Sequence, residues 1–158
     1  MLIMKLNSMN TKIFDDVLSN DLLNFIRKEM EIMRWDKGTS NHGIDSFFNC
    51  TTTSYLSHNF LFNIFLKKSS LPYKLLRSYV NCYPSGTEGE FHSDDGDYTF
   101  LFYPDEVEKN KGSTVFKDGT KIEYKTNRLL IFNARLLHKA DKNLSNEMRH
   151  TIAWKTLK

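Results

Sequence analysis

His92 and Asp94 stand two positions apart, and a third candidate ligand, His138, lies far downstream. Residues i and i+2 of an extended segment project to the same side. One short stretch can therefore aim an imidazole and a carboxylate at a single metal ion. Two neutral imidazoles and one carboxylate, with coordination positions left open, form the facial set that suits non-haem Fe(II). Three protein ligands leave room for a bidentate ligand and for dioxygen. A His-x-Asp pair is common by chance, so its surroundings must carry the argument. The pair ends a turn-rich stretch, Cys82-Tyr83-Pro84-Ser85-Gly86-Thr87-Glu88-Gly89-Glu90-Phe91-His92-Ser93-Asp94, and Arg149 follows His138. Asp95 competes with Asp94 but points to the opposite face of an extended segment, which suits a turn residue. His42, His58 and His150 lack acidic partners in register and are read as structural or surface residues.

The elements that must position these groups follow from periodicity. Residues 1–13 read as a first strand or an ordered tail. Ser19 or Asn20 caps a helix with Asp21 in its first turn and a stripe of Leu22, Leu23, Phe25, Ile26, Met30 and Met33. Gly38 to Asp45 is loop, and Phe47 to Thr53 is ambiguous. Ser57 is expected to cap a second helix through Phe60, Leu61, Ile64, Phe65 and Leu66, before Pro72. Strands are expected over Leu75–Tyr83, Tyr98–Tyr103, Ser113–Phe116, Lys121–Lys125, Leu129–Phe132, Arg135–Lys139 and Arg149–Thr156, with a hairpin turn at Asp118-Gly119. Two helices ahead of about seven or eight short strands predict a sandwich or barrel with helices on one side. On that map His92 and Asp94 lie near the end of an early strand, His138 on a late one, and Arg149 at the start of the last.

The 158 residues fit a single domain, and 40% hydrophobic residues supply its core. A net charge of +3 without a dense basic run gives no reason to expect a nucleic-acid partner. Cys50 and Cys82 are too few for a disulfide framework and read as reduced thiols of a cytoplasmic protein. The apolar start Met1-Leu2-Ile3-Met4 is too short for a signal peptide or a membrane span, so no membrane partner is expected.

With these motifs in hand, residues 75–157 resemble the 2-oxoglutarate- and Fe(II)-dependent dioxygenases, in their prolyl 4-hydroxylase-like branch. The resemblance rests on Cys82 to Asp94, Tyr98-Thr99-Phe100-Leu101-Phe102-Tyr103, Gly112-Ser113-Thr114-Val115-Phe116, Leu130-Ile131-Phe132-Asn133, His138 and Arg149, with Trp154 on the same last strand. Lys111-Gly112 departs from the paired glycines common there. The resemblance implies a mainly β fold with flanking helices. This is a double-stranded β-helix (jelly roll), with residues 1–70 as helical support and 71–158 as the catalytic core.

The resemblance further implies Fe(II) held by His92, Asp94 and His138. It implies 2-oxoglutarate as cosubstrate with Arg149 on its distal carboxylate, and ascorbate as a further candidate cofactor. Tyr83 becomes a candidate contact of cosubstrate or substrate and Tyr103 of the cosubstrate, with plain core the other reading of each. Arg135 is a candidate substrate contact, Asn133 is either a pocket hydrogen-bonder or a strand-end turn former, Trp154 is core, and Arg128 is a turn residue. The implied reaction is hydroxylation of an unactivated C–H bond by dioxygen, with release of succinate and CO2. The implied substrate is a prolyl residue of a peptide or protein, or a proline-like small molecule. The loops Pro84–Gly89 and Asp105–Gly112 are expected to be mobile and to meet it. Three alternatives stand beside this reading: a nucleic-acid demethylase of the same superfamily, a cupin-type enzyme, and a non-enzymatic jelly-roll binding domain. A demethylase would carry a second arginine in its last-strand motif, where Arg149-His150-Thr151-Ile152-Ala153-Trp154 has one.

Overall fold

Alternating side chains over Tyr98–Tyr103 and Arg149–Leu157 require a sheet with two buried faces, and the computed structural model contains one. It describes residues 5–6, 11–37, 47–52, 56–106 and 111–158. Among them are β1 (Lys5–Leu6), β2 (Lys12–Phe14), α1 (Asn20–Glu31), β3 (Asp36–Lys37), β4 (Phe48–Thr51), α2 (Leu56–Ser69) and β5 (Lys74–Tyr83). The chain continues through β6 (Tyr98–Tyr103), β7 (Ser113–Phe116), β8 (Lys121–Glu123), β9 (Arg128–Asn133), β10 (His138–Ala140) and β11 (Arg149–Leu157). The protein is mainly β. An eight-stranded sheet has the order β1-β2-β9-β6-β11-β5-β4-β3, and a three-stranded sheet the order β10-β7-β8. The pairs are antiparallel. The first 70 residues thus contribute strands to the edges of the large sheet as well as two helices.

Register sorts the side chains. Directly opposed residues share a face, and β11 pairs Arg149 with Tyr83, Ala153 with both Tyr79 and Leu101, and Lys155 with Thr99. Arg149, Thr151, Ala153 and Lys155 therefore face the three-stranded sheet, where Leu101, Tyr103, Leu130, Phe132 and Ala153 meet Phe116, Ile122 and Tyr124. The even-numbered Ile152 and Trp154 face the helices, in one cluster with Ile26, Met30, Leu61 and Phe65. Trp154 is core as expected, with Phe65 edge-on to its ring at 5.3 Å and its Nε1 donating to His58 O at 3.0 Å. Burying a large side chain of this kind stabilises by about 2–3 kcal/mol.

Local chemistry explains the helix boundaries. The Ser19 hydroxyl accepts from Leu22 N at 3.4 Å, and α1 buries Leu23, Ile26 and Met30 along one stripe. Phe25 is exposed, and Met33 is buried beyond the helix end. The second helix begins at Leu56, so Ser57 lies inside it rather than capping it. The Gly38–Asp45 loop falls outside the described residues. Among the described residues no helix is long and apolar enough to cross a membrane, and Cys50 and Cys82 form no disulfide with each other.

Candidate functional site

As expected of its turn residues, the stretch from Pro84 to Gly89 is no regular strand, and His92 and Asp94, expected near a strand end, lie in an irregular segment beyond β5. The chain from Pro84 to Asp94 runs beside residues 134–143, bonded at intervals: Gly86 N to Asn143 O at 2.7 Å, Gly89 N to Ala140 O at 2.9 Å and Asp94 N to Ala134 O at 2.8 Å. Pro84 has no N–H to give, and Gly86 takes a positive φ of 81°. Turn chemistry interrupts the ladder, and only His92 forms a bridge, an isolated one with His138. The two exchange backbone hydrogen bonds of 3.0 and 2.9 Å. The Ser85–Gly89 tip is therefore fastened by hydrogen bonds along its length. Residues 107–110 of the other expected mobile loop lie outside the described residues.

The bridge sets the two imidazoles 4.5 Å apart, centroid to centroid. Asp94 sits between them, with Oδ1 3.6 Å from His92 Nε2 and Oδ2 3.4 Å from His138 Nε2. One ligand atom from each of the three lies within 4.8 Å of the others, a group that could hold a metal ion. Each ring is oriented through its other nitrogen. His92 Nδ1 donates to Glu90 O and His138 Nδ1 to Leu136 O, both at 2.8 Å. A carbonyl can only accept, so in the neutral ring the lone pair is on Nε2, facing Asp94. Burial beside Phe132 pulls the His138 pKa down to about 4, against the pull of Asp94, and keeps the ring neutral. Burial alone would raise the Asp94 pKa, but the charge of Lys155 and hydrogen bonds from Lys155 and Thr99 hold it below the ordinary value. Asp95 turns away and takes Arg77 in a two-point pair of 2.9 and 2.7 Å.

Arg149 lies on the same inner face, 1% exposed. Its Nη1 donates to Lys111 O at 2.6 Å, and its guanidinium stacks over the Tyr83 ring at 4.9 Å. Among the described residues its Nε and Nη2 have no hydrogen-bond partner. Two unsatisfied donors on a buried cation are costly, and an anionic ligand would satisfy both. A cavity of about 40 Å³ is lined by Arg149, Tyr83, Tyr103, His92, His138 and Lys155 among others. Tyr103 shares a 2.7 Å hydrogen bond with Thr114 Oγ1 and stacks on Tyr124, and burial raises its pKa to about 12. Burial likewise raises the Tyr83 phenol.

The Lys111-Gly112 departure has a physical role. Gly112 has φ +84°, and a Cβ there would overlap Arg149 Nη1 and come within 2.8 Å of Lys142 O. The buried Lys111 ammonium reaches Glu147 at 3.1 Å and Asp105 at 3.6 Å. Asp105 also overturns one expectation. His150 does have an acidic partner, with ring and backbone N–H bonded to that carboxylate at 3.0 and 2.6 Å. Burial lowers the His150 pKa, yet the Asp105 bonds outweigh it and carry the value to about 9. Arg128 is not a turn residue but a β9 residue that pairs with Asp15. Asn133 is a turn former, accepting from Arg135 N at 2.9 Å, and Arg135 is exposed. His58 is buried beside Trp154, and His42 lies outside the described residues.

Sequence reasoning missed Lys155. Its ammonium contacts Asp94 Oδ2 directly and lies 3.3 Å from Thr99 Oγ1. The available signal was parity, since Lys155 lies an even number of residues after Arg149 on one strand.

No protein-family model matches this chain, and no curated protein matches it. Solved structures do match. HygX from Streptomyces hygroscopicus, with nickel and 2-oxoglutarate bound, aligns with a TM-score of 0.75 at 11% identity, over 93% of this chain and 82% of that one. A prolyl hydroxylase from Trichoplax adhaerens, in complex with a hypoxia inducible factor oxygen degradation domain peptide fragment, gives 0.72 at 16% identity, over 94% and 84%. The viral collagen prolyl hydroxylase of Paramecium Bursaria Chlorella virus-1, as its 2-oxoglutarate complex, gives 0.64 at 16%, over 96% and 97%. The structural neighbours are 2-oxoglutarate- and Fe(II)-dependent oxygenases, prolyl hydroxylases among them, and the chain shares their fold.

Proposed function

We propose that this chain is an Fe(II)- and 2-oxoglutarate-dependent dioxygenase on a double-stranded β-helix, with His92, Asp94 and His138 as metal ligands and Arg149 as the cosubstrate anchor. The observation that carries the reading is the buried Arg149 guanidinium, with two unpartnered N–H-bearing nitrogens, lining the same cavity as the histidines. The donor set fits the ion, because two oriented imidazoles and one carboxylate leave coordination positions open. Fe(II) bound there would couple oxidative decarboxylation of 2-oxoglutarate to insertion of oxygen into a C–H bond.

The chain's own contribution is orientation and exclusion of water. Backbone carbonyls at Glu90 and Leu136 fix both imidazoles before any ligand arrives. The planar Arg149 fork suits a carboxylate better than a lysine would, and Gly112 leaves the space it occupies. Tyr103 remains a neutral hydroxyl able to bond the cosubstrate. Tyr83 packs under the guanidinium and walls the cavity. Ascorbate would serve as an accessory reductant.

A prolyl residue or a proline-like molecule is the proposed substrate. This finer reading draws on the Tyr-Pro-Gly-rich run before His92 and on the two prolyl hydroxylases among the similar structures. The test is incubation with Fe(II), 2-oxoglutarate and dioxygen against prolyl peptides and proline-like metabolites. Succinate release coupled to a mass gain of one oxygen atom on one of them is expected. Coupled turnover only on a non-proline substrate would keep the oxygenase and discard the prolyl reading. Iron-loaded protein that releases no succinate with any substrate would contradict both.

A further inference from the structure

Alternate residues of a strand share a side, so Arg149, Thr151, Ala153 and Lys155 line up along the inner face of β11. Lys155 is 1% exposed. Its ammonium contacts Asp94 Oδ2, and the Thr99 hydroxyl donates to that same oxygen at 2.5 Å. Its other neighbours are the Tyr79 ring, 5.2 Å away, and the Arg77–Asp95 pair, whose charges are already matched to each other. Oδ2 thus carries two protein donors. Oδ1 receives no hydrogen bond among the described residues and faces His92 Nε2 at 3.6 Å.

We propose that Lys155 is a positioning residue for the metal centre. It fixes Oδ2 of Asp94 as the oxygen kept by the protein and leaves Oδ1 as the one offered to a divalent cation. It also lowers affinity for that cation by competing for the carboxylate's charge. The inference rests on the reading of His92, Asp94 and His138 as metal ligands. A buried carboxylate requires a counter-ion, and Lys155 supplies one that is covalently part of the fold. A bound dication gives Asp94 a second cation and places it within a few ångströms of the ammonium, where charges in a low-dielectric interior repel strongly. Lys155 therefore stabilises the metal-free protein more than the metal-loaded one. By linkage, its removal tightens metal binding. Ordinary outer-shell partners of a ligand act in the opposite direction, because they raise its basicity.

The experiment is Mn(II) titration of the metal-free full chain, with free Mn(II) counted by its EPR signal. Wild type is compared with Lys155→Met, Lys155→Gln and Lys155→Arg. Loss of the charge in the Met and Gln variants is expected to tighten Mn(II) binding roughly tenfold, while the Arg variant stays within about twofold of wild type. The gain in melting temperature on adding Mn(II) should be larger for Met and Gln than for wild type. Should Lys155→Met fail to fold, Lys155→Gln decides, since it keeps a hydrogen-bond donor near Oδ2. Unchanged or weaker binding in Lys155→Gln, with wild type binding normally, overturns this inference alone. No Mn(II) uptake by wild type overturns the metal reading beneath it.

Discussion

Arg149 concentrates the argument at the scale of single residues. A fully buried guanidinium with two unpartnered nitrogens is unfavourable unless something anionic completes it. Arg149→Ala is expected to weaken 2-oxoglutarate binding by about 2–3 kcal/mol, roughly 30- to 150-fold, with Mn(II) affinity little changed. Calorimetric titration of Mn(II)-loaded protein checks this, and equal 2-oxoglutarate affinities would remove Arg149 as the anchor. His92, Asp94, His138 and Arg149 were legible in the sequence because their types form a chemical set whatever the fold. Lys155 and the Asp105–His150 pair were not. Each pairing joins a β11 residue to a group outside regular strands, and only the tertiary path of those segments brings the partners together.

At the scale of elements, β11 joins the two halves of the molecule. Its Arg149, Thr151, Ala153 and Lys155 line the candidate site, and Trp154 on the other side locks against α2. Trp154→Ala is expected to cost about 3–5 kcal/mol in urea denaturation. Because the ring points away from the cavity, Mn(II) affinity of the variant under folding conditions should match wild type. A stability loss below about 1 kcal/mol would mean that the helical layer contributes little to holding the sheet. Strong β patterns, such as Tyr98–Tyr103 and Arg149–Thr156, were readable from alternation and branched or aromatic residues. β3 was not, since a two-residue edge pairing carries no periodicity, and the single first strand expected over residues 1–13 is two short ones, β1 and β2. The His-x-Asp segment was expected at a strand end and proved to be a bridged loop. The i, i+2 geometry needs only locally extended backbone, so the three side chains still converge without a regular strand.

For the whole molecule, the buried ion pairs make stability depend on pH. Bonding to Asp105 raises the His150 pKa from an unfolded value near 6.5 to about 9. A raised folded pKa gives stabilisation that is complete below the unfolded value and lost as pH rises through the folded one. Denaturation midpoints should therefore fall between pH 6.5 and 9, by up to about 3 kcal/mol in stability. In Asp105→Asn this decline should largely disappear, and an unchanged decline would assign it to another group. The general architecture, β strands with helices covering one sheet, followed from the order of patterned segments. The strand order and the second sheet lying over the site did not, because they depend on which distant strands pair. The central claim is that one cavity holds a metal at His92, Asp94 and His138 and a carboxylate cosubstrate at Arg149. Anaerobic titration of the Fe(II)-loaded protein with 2-oxoglutarate, followed in the visible spectrum, tests it most directly. A weak charge-transfer band that saturates with 2-oxoglutarate, and is lost in His138→Ala, is the expected result. Wild type that takes up no Fe(II), or takes it up and develops no band, would contradict the account.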